Sequence, residues 1–186
     1  MPVLFSEIYH QVSASPLPYV LTVLSDAVAA CNGHMTEGIF RVPGDGDAIT
    51  NLRLQIESGD YTVRTRDPHV PAGLLKLWLR ELDEPIIPEH LYDPCIEAAR
   101  REEVPAMLDL IAQLPELHQR VVHYMVKYLQ LVAAPENQDK TKMTVNNLAM
   151  VFAPNFLRCP SDNPGVIFES TKYEQIFVRA LIMNLK

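Results

Sequence analysis

The 186-residue chain is 48% hydrophobic and 21% charged, which fits one globular domain with a continuous core. Its formal net charge of −7 argues against a nucleic-acid partner, since phosphate binding needs a basic surface. The sequence contains no apolar run of about eighteen residues, so no transmembrane segment is predicted. The first residues lack the pattern of a signal peptide, and we expect a cytoplasmic protein.

The cysteines and histidines suggest no metal or disulfide chemistry. Cys31, Cys95 and Cys159 are odd in number and contain no Cys-x-x-Cys pair, so we expect reduced thiols and no zinc site. His118 and His123 lack the i, i+4 spacing that places two ligands on one helical face. Neither a phosphate-binding glycine loop nor Gly-x-Ser-x-Gly is present, which argues against an autonomous nucleotide or serine hydrolase.

The chain begins with an apolar segment and a Ser/Pro-containing connector, and residues 1–16 are interpreted as an N-terminal arm. Residues 17–31 carry apolar side chains three and four positions apart, the pattern of an amphipathic helix that faces a core. Asn32-Gly33 is expected to end this helix.

A single arginine, Arg41, follows in the apolar stretch of residues 38–44. Burying a guanidinium without a partner is costly, whereas Ile39, Phe40 and Val42 favour the interior. The backbone is therefore expected to turn, with the three apolar side chains anchoring a loop and Arg41 pointing outward. On this stretch alone, an ordinary surface arginine is equally compatible with the pattern.

Three residues of the same stretch are expected to shape the loop. Gly38 and Gly44 allow positive φ. Pro43 fixes its own φ and steers the preceding residue out of the helical region. The loop is therefore predicted to be short and rigid.

A second helix is predicted over residues 47–58. Asp45 or Asp47 is suited to its N-cap, and Gly59 to its end. Residues 60–71 are polar and contain prolines, so we expect an ordered surface loop there.

Residues 71–82 predict a helix with a dense apolar face. Lys76 and Arg80 lie one turn apart on a neighbouring face, where like charges repel by a few tenths of a kcal/mol. Adjacent acidic residues would relieve part of this repulsion if the pair were merely structural. The functional alternative is a cationic pair kept on the surface for an acidic partner or a phosphate-rich site. Glu84-Pro85 is expected to end the helix.

The remaining chain continues the helical pattern. Helices are predicted over residues 89–101, 103–113 and 115–133, followed by a polar loop over 134–142, a helix capped by Thr144 and ended by Pro154, and a last helix over 166–185. Since no segment alternates as a strand would, the fold class is all-α, a bundle of roughly eight helices.

Three ordered segments resemble the Rho GTPase-activating protein (RhoGAP) domain family. Residues 37–44 are similar to the family's arginine-finger loop, 74–88 to its basic-helix signature and 142–155 to its asparagine signature. The similarity covers essentially the whole chain, 1–186, and implies one RhoGAP domain cut from a longer multidomain protein. The Lys-Leu-Trp-Leu-Arg-Glu-Leu run in the second segment resembles the Vilse (CrossGAP) branch.

The resemblance implies a domain that binds a GTP-loaded Rho-family GTPase, such as Rho or Rac, and inserts Arg41 in trans. GTP and Mg²⁺ would belong to the partner, so the domain would need no cofactor or metal of its own, and a monomer is expected. Lys76 and Arg80 match the family's basic pair and Asn155 its interface asparagine, which support the finger loop and dock the GTPase. Asn155 is expected to expose its amide beyond the helix end. Asn147 matches too, with a scaffold role and an interface role both open.

Two positions depart from the family pattern. Pro43 replaces a small polar residue and should stiffen the loop, whereas Thr141 replaces an asparagine and should affect a loop contact. Retention of Arg41 with Lys76 and Arg80 favours an active domain over a non-catalytic GTPase-binding or scaffold module. Preference among Rho-family GTPases is a difference in affinity spread over the rim of the site. Recruitment to membrane or cytoskeleton is expected from other domains.

Overall fold

The computed structural model describes residues 17–186, which contain nine α-helices, two short 3₁₀ helices and no strand. The predicted all-α fold is confirmed. The α-helices are α1 (Tyr19–Ala30), α2 (Gly46–Glu57), α3 (His69–Arg80), α4 (Tyr92–Arg100), α5 (Val104–Ala112), α6 (Glu116–Ala133), α7 (Pro135–Thr141), α8 (Val145–Phe156) and α9 (Pro164–Asn184). The 3₁₀ helices are Gly33–Met35 and Glu89–Leu91. The N-terminal arm predicted over residues 1–16 lies outside the described residues.

The chain divides into two compact units. The first contains the described residues up to Asp83 together with Val132–Met143. The second contains Glu84–Leu131 and Thr144–Lys186. None of the helices in the described residues is long and apolar enough to cross a membrane.

In the first unit, α3 packs against both α1 and α2. The apolar stripe predicted for α1 is its buried face, and Leu21, Leu24 and Val28 are fully buried. A Cβ atom on Gly73 of α3 would lie 2.6 Å from Cδ1 of Ile49 on α2. The glycine therefore permits the close approach of these two helices.

Helix α2 begins and ends close to the predicted positions. Of the two candidate caps, Asp45 is the N-cap, and its Oδ1 accepts a hydrogen bond from the Ala48 N–H at 2.8 Å. Asp47 lies in the first turn, where a negative charge interacts favourably with the helix dipole. Gly59 follows the helix with φ of 90°, the conformation expected of a residue that stops it.

Helix α3 is displaced toward the N-terminus relative to its prediction. It begins at His69, whose N–H donates to Oδ1 of Asp67 at 2.9 Å. It ends at Arg80, and the Glu81 N–H bonds to carbonyls three and four residues earlier. The prediction that Glu84-Pro85 ends the helix is wrong, because this tightened last turn closes the helix first.

The polar loop predicted over residues 134–142 is wrong, because this segment forms α7. The helix starts with Pro135 in its first turn, a position where the missing N–H costs no bond. Asn137 and Thr141 face inward despite being polar, and the Thr141 hydroxyl donates to the Val132 carbonyl at 3.3 Å. Polar residues fill the buried face of α7, so the sequence lacks the apolar periodicity of a helix.

In the second unit, α9 packs against α8, α4 and α5. Thr144 caps α8 as predicted, and its Oγ1 accepts from the Asn147 N–H at 3.2 Å. Pro154 does not end the helix, which continues to Phe156. Proline removes one helical hydrogen bond, and the Leu157 N–H still closes the last turn by donating to the Ala153 carbonyl at 3.0 Å.

A buried polar pair connects α4 and α9. The Tyr92 hydroxyl donates a hydrogen bond to Oε1 of Glu174, and both side chains are buried. Burial raises the pKa of Glu174, and the hydrogen bond from Tyr92 offsets only part of this rise. The pair satisfies both polar groups within the apolar packing of this unit.

Candidate functional site

The loop that carries Arg41 connects the first 3₁₀ helix to α2. Its turn is closed by two backbone hydrogen bonds to one acceptor, since the Arg41 and Val42 N–H groups donate to the Gly38 carbonyl at 2.9 and 2.8 Å. Gly38 has φ of 67°, and a Cβ there would lie 2.5 Å from Cγ2 of Val42. Glycine is therefore required both by the backbone conformation and by the available space.

The two residues before Arg41 anchor the loop. Ile39 and Phe40 are 0% and 1% exposed. Phe40 also has φ of 67°, the left-handed conformation, which costs a non-glycine residue roughly 1–2 kcal/mol. This turn places the following side chain, that of Arg41, on the exposed side of the loop, as the sequence predicted.

Lys76 of α3 stabilises this backbone turn. Its ammonium donates a hydrogen bond to the carbonyl of Phe40, the group directly before Arg41. Burial lowers the pKa of Lys76, and the charge of Arg80 lowers it further. Lys76 is thus a half-buried tether of the loop rather than a solvated surface charge.

A second tether comes from α7. The Gly38 N–H donates to the carbonyl of Thr141, the last residue of that helix, at 2.7 Å. Thr141 is completely buried, and its own hydroxyl accepts from the Met143 N–H at 3.2 Å. The contact between Thr141 and the loop therefore runs through its backbone.

Two expectations for the end of the loop are wrong. Val42 does not anchor it, because its side chain is 43% exposed. Gly44 does not have a positive φ. Glycine is needed at position 44 because a Cβ there would lie 2.6 Å from the His69 carbonyl oxygen and 2.8 Å from the Val70 nitrogen. Pro43 lies between them and is exposed.

Arg80 differs from Lys76 although the two share a helical face. It is the last residue of α3, and its side chain is exposed. The first unit therefore presents Arg41 and Arg80 to solvent, whereas Lys76 is directed at the loop backbone.

The two asparagines belong to the second unit. The prediction that Asn155 exposes its amide is wrong, because the residue is only 6% exposed and its Nδ2–H donates to the Val151 carbonyl at 2.9 Å. Helix α8 continues past Pro154, so Asn155 lies within the helix instead of beyond its end. Asn147 is partly exposed and bonds through its backbone to the Thr144 cap.

Arg41 provides one kind of chemistry. A guanidinium presents five donors in a planar fork and stays protonated at neutral pH, which suits a spread negative charge such as that of phosphate oxygens. Within the described residues, no group of three or more His, Cys, Asp or Glu side chains could hold a metal ion. All three cysteines are free thiols.

Sequence reasoning missed the details that fix the loop. The left-handed Phe40 and the role of its carbonyl as the acceptor for Lys76 have no signal in the sequence, because both follow from the backbone path. The position of Thr141 was singled out by its departure from the family pattern, but the bond to Gly38 uses a carbonyl that every residue has.

The chain belongs to the RhoGAP domain family, whose model matches residues 18–161. It is 39% identical over 170 residues to GTPase activating protein homolog 2 of Dictyostelium discoideum, covering 91% of this chain and 19% of that protein. It is 35% identical over 158 residues to mouse Rho GTPase-activating protein 22, covering 81% of this chain and 22% of that protein. The chain thus spans about a fifth of the length of these relatives.

Solved structures share the fold. The crystal structure of human Rho GTPase activating protein 15 aligns with a TM-score of 0.84 at 23% identity, covering 97% of this chain and 87% of that one. The BH domain from Graf, the GTPase regulator associated with focal adhesion kinase, aligns with a TM-score of 0.76 at 26% identity, covering 89% and 90%. The resemblance to the Vilse branch stays a prediction.

Proposed function

We propose that this domain binds a GTP-loaded Rho-family GTPase and accelerates GTP hydrolysis by inserting Arg41 into the partner's nucleotide site. The observation that carries the proposal is the loop geometry. Arg41 is exposed directly after two fully buried residues, and the backbone around it is tethered at Phe40 and Gly38. Membership in the RhoGAP family and relatives named as GTPase-activating proteins support the same reading.

The physical case rests on the charge of the transition state. During hydrolysis, negative charge is spread over the oxygens of the transferred phosphoryl group, and an additional positive donor stabilises it. An arginine supplied in trans is typically worth about 10³–10⁵ in rate, or about 4–7 kcal/mol. A loop backbone held in place before binding reduces the conformational entropy lost when its arginine is inserted.

The other site residues have separate roles in this proposal. Lys76 positions the finger by holding the Phe40 carbonyl. Arg80 contacts the partner with its exposed guanidinium. Asn147 and Asn155 contribute to docking as the family pattern implies, with Asn155 acting from a largely buried position. GTP and Mg²⁺ come with the partner, so the domain requires no cofactor of its own.

The decisive test is single-turnover phosphate release from GTP-loaded Rho, Rac and related GTPases with and without the domain. We expect Arg41→Ala to reduce the acceleration by about 10³-fold or more while binding to the GTPase persists. Arg41→Lys should restore little, because a point charge lacks the planar donor fork. Arg101→Ala is the matched control, since Arg101 is an exposed arginine paired with Glu97 at 2.8 Å on α4.

The alternative is a non-catalytic GTPase-binding or scaffold module. It predicts binding without any acceleration, and equal phosphate release with the natural protein and Arg41→Ala. That outcome would refute the catalytic role of Arg41. Incubating the domain alone with GTP tests the separate expectation that it has no hydrolase activity of its own.

A further inference from the structure

A groove lies between α8 and α9 in the second unit. It has a volume of about 320 Å³, at the lower end of the range for small-molecule sites. Its lining residues are Asn146, Ala149, Lys172, Gln175, Ile176 and Arg179. The four residues from α9 are spaced i, i+3, i+4 and i+7, so they form one stripe along a single helical face.

The charges of this groove have one sign. Lys172 and Arg179 bring two positive charges, and no carboxylate lines the groove, although the whole chain has a net charge of −7. Within the described residues, neither cation forms a salt bridge. A bound anion would supply the negative charge that these two cations lack.

Hydrogen-bond donors and an apolar floor complete the groove. Asn146 of α8 and Gln175 of α9 also line the groove, and each side-chain amide has N–H groups that can donate. Ala149 is buried and Ile176 is half-buried, so they form the floor. A few polar groups over an apolar base are typical of small-ligand sites.

Aromatic contacts limit the freedom of one cation. The ammonium of Lys172 lies 4.6 Å from the ring centroid of Tyr173, and the guanidinium carbon of Arg100 lies 5.0 Å from the same centroid. Attraction to the ring face favours these positions of the two cations.

We propose that this groove binds a phosphomonoester group of a small ligand, such as an inositol phosphate or the same group in a lipid headgroup. A phosphomonoester carries a charge of about −1.5 to −2 at neutral pH, which matches the two lining cations. The guanidinium of Arg179 can form paired hydrogen bonds with phosphate oxygens, and the ammonium of Lys172 supplies a second contact. The ligand would bind in the second unit, whereas the Arg41 loop belongs to the first.

The first experiment measures binding of inositol 1,4,5-trisphosphate and of inorganic phosphate to the full chain by isothermal titration calorimetry. Each of Lys172→Gln and Arg179→Gln should weaken Kd about tenfold, equivalent to about 1.4 kcal/mol. Lys127→Gln on α6 is the control, because it removes one exposed positive charge of the same unit outside the groove. NMR shift changes should include the side-chain amides of Asn146 and Gln175.

The proposal is overturned if neither probe binds saturably, if Lys127→Gln weakens binding as much as Arg179→Gln, or if the NMR shifts map elsewhere. Sedimentation with phosphatidylcholine vesicles containing phosphatidylinositol 4,5-bisphosphate distinguishes the source. Sedimentation that soluble inositol trisphosphate competes away assigns a lipid headgroup, whereas binding of the soluble ligand alone assigns a free phosphate ester. Thermal melting of each variant verifies that the fold is intact.

Discussion

Replacing Lys76 by Met should impair the rate of GTPase activation more than it impairs binding. Methionine retains most of the apolar stem of lysine but removes the ammonium that donates to the Phe40 carbonyl. Because Lys76 supports the loop from a half-buried position, the loss acts on the conformation around Arg41 instead of on a solvent-exposed contact.

The magnitude follows from two opposing energies in the loop. A hydrogen bond to a charged group contributes about 1.5–3 kcal/mol. The left-handed conformation of Phe40 costs roughly 1–2 kcal/mol. Without the Lys76 bond, nothing at the Phe40 carbonyl offsets the strain of Phe40. The equilibrium between this loop conformation and its alternatives then shifts away from it by about 10- to 100-fold. Because the Gly38 tether and the buried Ile39 remain, we expect the maximal rate to fall by about tenfold, at the lower end of that range.

Single-turnover phosphate release at saturating domain concentration separates the rate from the affinity. Lys76→Met should lower the maximal rate, whereas Arg80→Ala should mainly weaken the apparent Kd, because Arg80 is exposed. Lys127→Met controls for the loss of one positive charge. An unchanged maximal rate with a weakened Kd for Lys76→Met would refute the tether and make Lys76 a direct partner contact.

Two further variants test the packing and the electrostatics of the fold. Gly44→Ala should destabilise the protein by about 1–3 kcal/mol and lower Tm by several degrees, because the new Cβ meets the His69 carbonyl at 2.6 Å, whereas Gly46→Ala has no neighbour within 4 Å and should leave Tm unchanged or slightly raised. Equal melting of the two variants would contradict this steric reading. Glu174→Gln should stabilise the protein at neutral pH, since glutamine keeps an oxygen acceptor for Tyr92 without a buried charge. Because the pKa of Glu174 is raised in the folded state, that state binds more protons than the unfolded state at pH values above the ordinary pKa of 4.5. The stability of the natural protein should therefore fall as pH rises from 4.5 through the raised pKa. Melting temperatures of the natural protein and of Glu174→Gln that depend equally on pH would contradict this prediction.

The sequence predicted those parts of the fold that depend on apolar periodicity and on capping chemistry. The stripe of α1, the Asp45 cap of α2 and the Thr144 cap of α8 are examples, because each depends on residues close together in the chain. Helix α7 was missed for the opposite reason. Its buried positions, Asn137 and Thr141, are polar, and the Thr141 hydroxyl donates to the Val132 carbonyl nine residues earlier, a contact that apolar periodicity does not reveal.

The candidate site divides in the same way. The exposure of Arg41 could be predicted because the apolar residues that anchor the loop are its neighbours in the sequence. The bond from the Lys76 ammonium to the Phe40 carbonyl could not be predicted, because it depends on the path of a distant loop. The burial of Asn155 could not be predicted either, because it depends on a helix that continues through Pro154. A motif thus identified these residues without fixing where their side chains point.

The bond between Gly38 and Thr141 joins residues that are 103 positions apart in the chain. During synthesis at about 5–20 residues per second, the ribosome makes Thr141 roughly 5–20 s after Gly38. Lys76, only 36 positions beyond Phe40, becomes available much earlier. A nascent chain therefore has the parts for one support of the arginine loop well before the other, and a truncated product that stops ahead of Thr141 would carry Arg41 on a loop with a single support.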